Sequence, residues 1–284
     1  MTMTTNPNSG KIEDAPLGKI SSSPMQFNPE LLFPIPRSTN RALLNCGATL
    51  PFIGVDIWNA YELSWLGPRN KPEVAIAQFD IPFDSPFLIE SKSFKLYLNS
   101  LNYANFRDTQ AIQSQLKTDL SQACGTSIQV QLFSPQDWKN LRLGEPEGRL
   151  LDRLDIAIFP EEPPDSMWLT ADFDSAPIEQ ILYSNLLRSN CPVTGQPDWA
   201  TIFIEYMGPA ITEASLLRYL IAFRNHQEFH EHCVEKIFCD IKNQCKPLKL
   251  SVYARYTRRG GLDINPYRTD TTSAWPKNTR LARQ

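Results

Sequence analysis

Hydrophobic and polar positions alternate over several short stretches of this chain, and longer stretches between them carry helical spacing. Val74 to Ile81 reads as a strand, and Thr126 to Phe133 places Ile128, Val130 and Leu132 on one face. Between them, Ser93 to Asn105 and Thr109 to Cys124 are spaced as helices. The second half repeats the order. Thr201 to Met207 alternates through Ile202, Ile204 and Tyr206, helices are expected over Thr212 to Asn225 and Glu228 to Gln244, and Leu250 to Thr257 alternates again. A further strand is expected near Pro51 to Trp58 and another over Leu154 to Phe159. Each half thus reads strand, helix, helix, strand. Laying FLIESKSFKLYL on AITEASLLRYL sets Glu90 against Glu213. The fold class is α+β, two antiparallel sheets each carrying a pair of helices on one face.

Composition narrows the setting. The 284 residues can bury a sizeable core as one large or two small domains. The net charge of −3 excludes a protein that works by blanket neutralisation of phosphates. Charge is uneven, with ten acidic and two basic residues from Glu145 to Glu179, and nine basic and two acidic residues after Cys245. The piece FPEEPPDS, Phe159 to Ser166, reads as a linker. Residues 1–35 are polar and aperiodic and read as a flexible arm. No stretch is apolar enough to span a membrane, and the first residues lack a basic-then-apolar leader, so a cytoplasmic location is expected. The six cysteines, scattered and without a C-x-x-C pair, are then read as free thiols.

Four segments carry candidate chemistry. Cys191, in SNCPVTGQPDW, sits at an element boundary seven residues before Asp198. A thiolate attacks electrophilic carbon and a carboxyl group passes the proton, although a buried structural cysteine beside a surface aspartate fits the same residues. In HQEFHEHC, His226, His230 and Cys233 have a spacing that zinc accepts, without an H-E-x-x-H motif or an evident fourth ligand. The other reading of this segment is ligand recognition. The two oxygens of Glu231 match the paired N–H donors of a guanine-like edge, and His230 bonds the same ligand. Glu90, Ser91 and Lys92 open a helix whose N–H groups suit an anion, with Lys95 adding charge, and a capped amphipathic helix fits them equally. Arg258, Arg259, Gly260 and Gly261 close a strand and suit phosphate, or form a plain turn. G-x-G-x-x-G, Walker and G-x-S-x-G motifs are absent.

Taken together, ESKSFKLYLNS, SNCPVTGQPDW, FHEHCVE and SVYARYTRRGGLDINPYR resemble the long, two-module form of the NADPH-dependent 7-cyano-7-deazaguanine (preQ0) reductase family, the nitrile reductases of queuosine biosynthesis. The resemblance runs from about Pro36 to Gln284. It implies tandem tunnelling-fold (T-fold) modules, one over 36–160 and one over 161–284, of the kind shared with GTP cyclohydrolase I. It implies reduction of preQ0 to the 7-aminomethyl compound, preQ1, by two hydrides from NADPH, through a thioimide on Cys191 with Asp198 as proton donor. Ile89, Glu90, Ser91, His230 and Glu231 then match substrate-binding positions, and Ser91, Lys92, Arg259 and Gly260 match NADPH contacts, with no metal. Glu90 is expected to meet Cys191 across a module interface. A homodimer is also implied. No membrane contact is expected, for want of an apolar span, and no direct nucleic-acid contact, because the whole chain is net acidic. Two other readings stay open: a zinc-dependent T-fold enzyme of cyclohydrolase type acting on a pterin or purine, and a non-catalytic deazaguanine-binding module.

Overall fold

In the computed structural model, which describes residue 14 and residues 24–44, 46, 49–158, 162–272 and 275–284, the chain divides into two compact units. The first comprises the described residues up to Arg41, Ile57–Leu141 and Arg258–Asp263. The second comprises Ala42–Asp56, Arg142–Thr257 and Ile264–Gln284. The division is therefore not a single cut near residue 160, because residues 42–56 and 142–158 belong to the second unit and 258–263 to the first.

The elements of the first half, in chain order, are β1 (Pro34–Pro36), α1 (Arg37–Arg41), β2 (Ile53–Leu66), β3 (Pro72–Pro82), β4 (Phe87–Ile89), α2 (Ser91–Ser100), α3 (Thr109–Cys124) and β5 (Gln129–Phe133). The strand order is β5–β3–β2, with β5 antiparallel to β3. β1 and β4 form a small antiparallel pair that fastens residues 34–36 ahead of α2. Of the expected arm over 1–35, the portion at Leu32 and Ile35 is thus docked and buried, while most residues before 24 lie outside the described ones. α2 turns Phe94, Tyr97 and Leu98 inward, and Phe94 meets Trp58 and Phe79 edge-on at 5.2 and 5.1 Å. Side chains of this size contribute ~1.5–3 kcal/mol each when fully buried.

The second half supplies β6 (Arg149–Leu150), β7 (Ala171–Asp172), β8 (Ile178–Asn190), β9 (Pro197–Gly208), β10 (Ala210–Ile211), α4 (Glu213–Ala222), α5 (His230–Cys245), β11 (Lys249–Tyr256) and β12 (Leu262–Thr269). Their order is β12–β11–β9–β8–β6, antiparallel except for the short β6–β8 pair. A bulge shifts the β8–β9 register between Ser184 and Leu187. Asp152 holds that bulge, accepting from Ser184 Oγ at 2.6 Å and from the backbone and side chain of Asn185. The strand expected over Leu154 to Phe159 is absent from 154–158, where the alternating residues meet no partner strand; Phe159 lies outside the described residues.

The two halves are built on one plan, and their hydrogen bonds show it. Tyr97 OH donates to Asp119 Oδ2 at 2.7 Å between α2 and α3; Tyr219 OH donates to Asp240 Oδ2 at 2.6 Å between α4 and α5. Phe33 N donates to Ser93 Oγ and Glu90 N to Phe33 O; Thr170 N donates to Ser215 Oγ and Thr212 N to Thr170 O. Both first helices run on into a 3-10 turn, at Leu101–Tyr103 and Phe223–Asn225. These pairs set Glu90 against Thr212 and not Glu213, a correction of one residue to the sequence alignment. The aligned glutamates differ because Glu90 precedes α2 as its cap, whereas Glu213 is already the first residue of α4.

The cysteines also depart from expectation. Cys46 and Cys239 are joined in a disulfide with Cα atoms 5.8 Å apart, and Cys124, Cys191, Cys233 and Cys245 are in no disulfide. Phe52 packs on α5, edge-on to Phe238 at 5.4 Å. That long-range packing brings together two cysteines 193 residues apart, which spacing alone does not disclose.

Candidate functional site

The second unit positions one group of side chains by its longest hairpin. β8 ends at Asn190, and Cys191 opens the turn to β9. Cys191 N donates to Gln196 O at 2.8 Å, and Gly195 N donates back to Cys191 O at 3.0 Å. Gly195 sits at φ +65°, a left-handed value that glycine adopts without a Cβ penalty. The segment after α4 clamps this turn. Asn190 N donates to His226 O, Glu228 N to Asn190 O, and Asn190 Nδ2 to Arg224 O. Cys191 is held with 4 % of its surface exposed.

Asp198 lies two residues past the turn, opposite Ser189, and points to the helix-covered face with Ala200 and Ile202. Its Oδ2 is 3.3 Å from Nε2 of His230, the first residue of α5. The imidazole stacks on Tyr256 at 3.8 Å and 7°. His230 Nδ1 is buried and has no hydrogen-bond partner. Glu231 follows in the first turn of α5, 2 % exposed, where a carboxylate is favoured by the helix dipole. α5 opens without a side-chain cap, since Phe229 occupies that position. The structure therefore brings Asp198 and His230 into contact, with Cys191 on the adjoining turn and Glu231 on the same helix start.

The first unit gathers the other group. Ile89 ends β4, buried. Glu90 caps α2, its carboxylate accepting from Lys92 N and Ser93 N at 2.7 Å each. Burial pushes its carboxyl above the usual glutamate range, and the two N–H groups and the Lys92 charge only partly offset this. The helix-start N–H groups expected to meet an anion are thus partly taken by Glu90 itself. Ser91, Lys92 and Lys95 continue along α2, and Lys95 Nζ donates to Gly260 O. Arg259 and Gly260 occupy a turn in which Arg259 N donates to Leu262 O at 2.9 Å and Tyr61 N to Gly261 O at 2.9 Å. Gly260 lies at φ +58°, and a Cβ there would approach Lys95 Nζ to 2.7 Å. Arg258 lies over the Tyr61 ring at 4.6 Å. Lysine and arginine side chains beside a close-packed glycine turn make a donor set suited to the phosphates of a dinucleotide.

The zinc spacing read from HQEFHEHC rests on a helix running through His226, but α5 starts at His230. The His226 ring instead packs edge-on to Phe223 at 5.3 Å. Among the described residues no three His, Cys, Asp or Glu side chains gather as metal donors. Burial pushes the Cys233 thiol far above the usual range, so it is not a thiolate at neutral pH. Tyr256 was not singled out in the sequence, although the alternation of Leu250 to Thr257 already places it on the face shared by Val252 and Ala254.

Known proteins resemble this chain over nearly its whole length. A family described as nitrile reductase, 7-cyano-7-deazaguanine-reductase N-term, matches residues 24–132, and one described as QueF-like protein matches residues 197–275. The NADPH-dependent 7-cyano-7-deazaguanine reductase of Burkholderia vietnamiensis is 56 % identical over 272 residues, 96 % of this chain and 99 % of the relative. The protein of the same name from Paraburkholderia phymatum is 55 % identical over 272 residues, with the same coverage.

Proposed function

The chain belongs to the NADPH-dependent 7-cyano-7-deazaguanine reductase family, and on that premise we propose that it reduces preQ0 to preQ1 through a covalent thioimide on Cys191. The observation that supports this most is the buried His230–Asp198 pair beside the Cys191 turn. His230 turns Nε2 to Asp198 and leaves Nδ1 buried without a partner, as a site that awaits a ligand does.

In this reading the Cys191 sulfur bonds to the nitrile carbon while one C–N π bond opens. Asp198 gives a proton to the nitrogen, and the thiol proton restores the Asp198 carboxyl, so the net transfer is from sulfur to nitrogen. His230, stacked on Tyr256, holds the Asp198 carboxyl in place. Glu231 anchors the guanine-like edge, and Ile89, Glu90 and Ser91 are further substrate-binding positions in this reading. Ser91, Lys92, Arg259 and Gly260 hold NADPH, which when bound supplies the hydride, two being consumed per nitrile. Burial of Cys191 and Asp198 keeps water from the reactive carbon–nitrogen bond. The same reading makes the two halves T-fold modules of a cytoplasmic homodimer that serves queuosine tRNA modification. No helix among the described residues is long and apolar enough to cross a membrane.

The test is the intact-protein mass after mixing with preQ0 in the absence of NADPH. A one-to-one adduct that Cys191→Ala removes, and that NADPH discharges as the amine, is the expected result. No adduct in the wild-type protein, with the nitrile still reduced, sinks the covalent route.

A further inference from the structure

Trp199 follows Asp198 on β9 and points to the other side of the strand. Three guanidinium groups gather at its indole. The central carbon of Arg188 lies 5.7 Å from the ring centroid, that of Arg224 5.4 Å and that of Arg283 5.7 Å. They arrive from three places in the second unit: the β8 position paired with Trp199, the 3-10 turn after α4, and the C-terminal tail. Among the described residues none of the three is in an ion pair. Arg188 Nη2 donates to Asn190 Oδ1 at 3.1 Å, and Arg283 Nη1 donates to Asn185 O at 2.7 Å. Nε of Arg188 and Nε of Arg224 are buried and donate to nothing.

Three like charges around one ring repel each other, and one indole offsets only part of that through its electron-rich face. Buried N–H groups without acceptors add a cost that an oxygen-bearing ligand removes. The chain as a whole is net negative, and of the three arginines only Arg283 belongs to its basic stretch after Cys245. Guanidinium forks match the oxygens of phosphate two at a time, and a phosphomonoester carries the double charge and the oxygens that three forks ask for.

We infer that Arg188, Arg224 and Arg283, gathered on Trp199, form a binding site for a phosphomonoester dianion. Two sources share this chemistry: the 2′-phosphate of the nicotinamide cofactor, which rests on the proposed activity, and a free phosphate, which does not.

The experiment titrates the full-length protein with inorganic phosphate at constant ionic strength, read by calorimetry and by tryptophan fluorescence. Saturable binding is expected, with a fluorescence change that Trp199→Phe removes. Arg283→Ala, on an exposed tail residue whose loss does not threaten the fold, is expected to weaken phosphate about tenfold, and Arg224→Ala at least as much. Arg224→Lys keeps the charge without the fork and is expected to fall between Arg224→Ala and the wild type. Absence of saturable binding overturns the site, as does binding that Arg188→Ala, Arg224→Ala and Arg283→Ala all leave unchanged. Displacement of phosphate by NADPH but not by NADH assigns the site to the cofactor; displacement by neither assigns it to free phosphate. A protein that binds phosphate at Trp199 yet fails to reduce the nitrile refutes the proposed activity and leaves this site standing.

Discussion

The Gly67–Lys71 turn of the first unit and the Cys191–Gln196 turn of the second close the same hairpin. Gly67 N donates to Lys71 O and Asn70 N to Gly67 O, as Cys191 N and Gly195 N do in the second unit. Asn70 and Gly195 both take left-handed φ, +59° and +65°. A loop from the end of the first helix clamps each, through Leu66 with Ala104 and Phe106, and through Asn190 with His226 and Glu228. Beyond each turn stand a proline and an acid, Pro72 and Glu73 or Pro197 and Asp198. The scaffold is thus shared, and chemistry separates the two. Gly67 has no thiol, and Glu73 leaves 47 % of its side chain exposed where Asp198 leaves 5 %. α3 is capped by Asp108, while Phe229 leaves α5 uncapped. Conversely, the first unit places a buried glutamate ahead of α2 where the second has Thr212. In the proposed reading, this duplicated frame holds two half-sets of functional groups, each in positions the other half leaves plain.

That contrast breaks most sharply at the thiol. Cys191→Ala is expected to lower turnover by about a thousandfold or more while part of the preQ0 affinity survives. Gly67→Cys is expected to fold, since a Cβ there meets nothing nearer than 3.5 Å, and to form no adduct with preQ0 by intact mass. An adduct on Gly67→Cys would show that the scaffold alone makes the nucleophile. Asp198→Asn follows, with a single-turnover rate lowered about a hundredfold and affinity nearly kept; a loss confined to affinity would make Asp198 a binding group.

The second unit also holds a buried ion triad. Arg268, fully buried, meets Asp56 and Glu235 at 2.7 Å each. Arg268→Met leaves two carboxylates without their cation and is expected to cost about 3–5 kcal/mol in denaturant unfolding. Smaller effects test the shared frame itself. Tyr97→Phe and Tyr219→Phe remove equivalent hydrogen bonds worth about 1 kcal/mol each. Tyr97→Phe is expected to be the costlier, because Asp240 keeps Lys236 at 2.9 Å whereas, among the described residues, Asp119 keeps only the amide of Gln115. Equal losses would mean that the lysine contributes nothing.

The smallest effect is a pH slope. The raised Glu90 carboxyl binds its proton more tightly folded than unfolded, so its contribution to stability is present below about pH 4.5 and is lost as pH rises through the folded value. Wild-type stability, relative to Glu90→Gln, is therefore expected to fall as pH rises above 4.5. Parallel curves would remove Glu90 as the titrating group.

Much of the frame was legible because its elements obey simple periods. Thr109–Cys124 was read with its observed bounds, since Asp108 and Gly125 punctuate a clean helical pattern. β8 went unread because its bulge breaks the alternation at Ser184. β12 went unread because Pro266 interrupts it and both of its faces are buried, including polar Asn265 and Arg268. Cys191, Asp198, His230 and Glu231 were singled out as motif positions, and the Asp198–His230 contact was not foreseen, because it joins a strand start to a helix start 32 residues on. The disulfide and the arginines on Trp199 were invisible for the same reason: tertiary packing alone makes them neighbours.

The interleaved membership of the two units bears on how this protein can be cut. A polypeptide starting at residue 142 carries Cys191, Asp198 and His230, yet it lacks residues 42–56 and with them Asp56 and Cys46. Arg268 would lose one of its two counter-charges and α5 its covalent tether. A split between the halves therefore yields no self-sufficient catalyst, and a protease that nicks near residue 142 leaves fragments that each depend on the other to stay native.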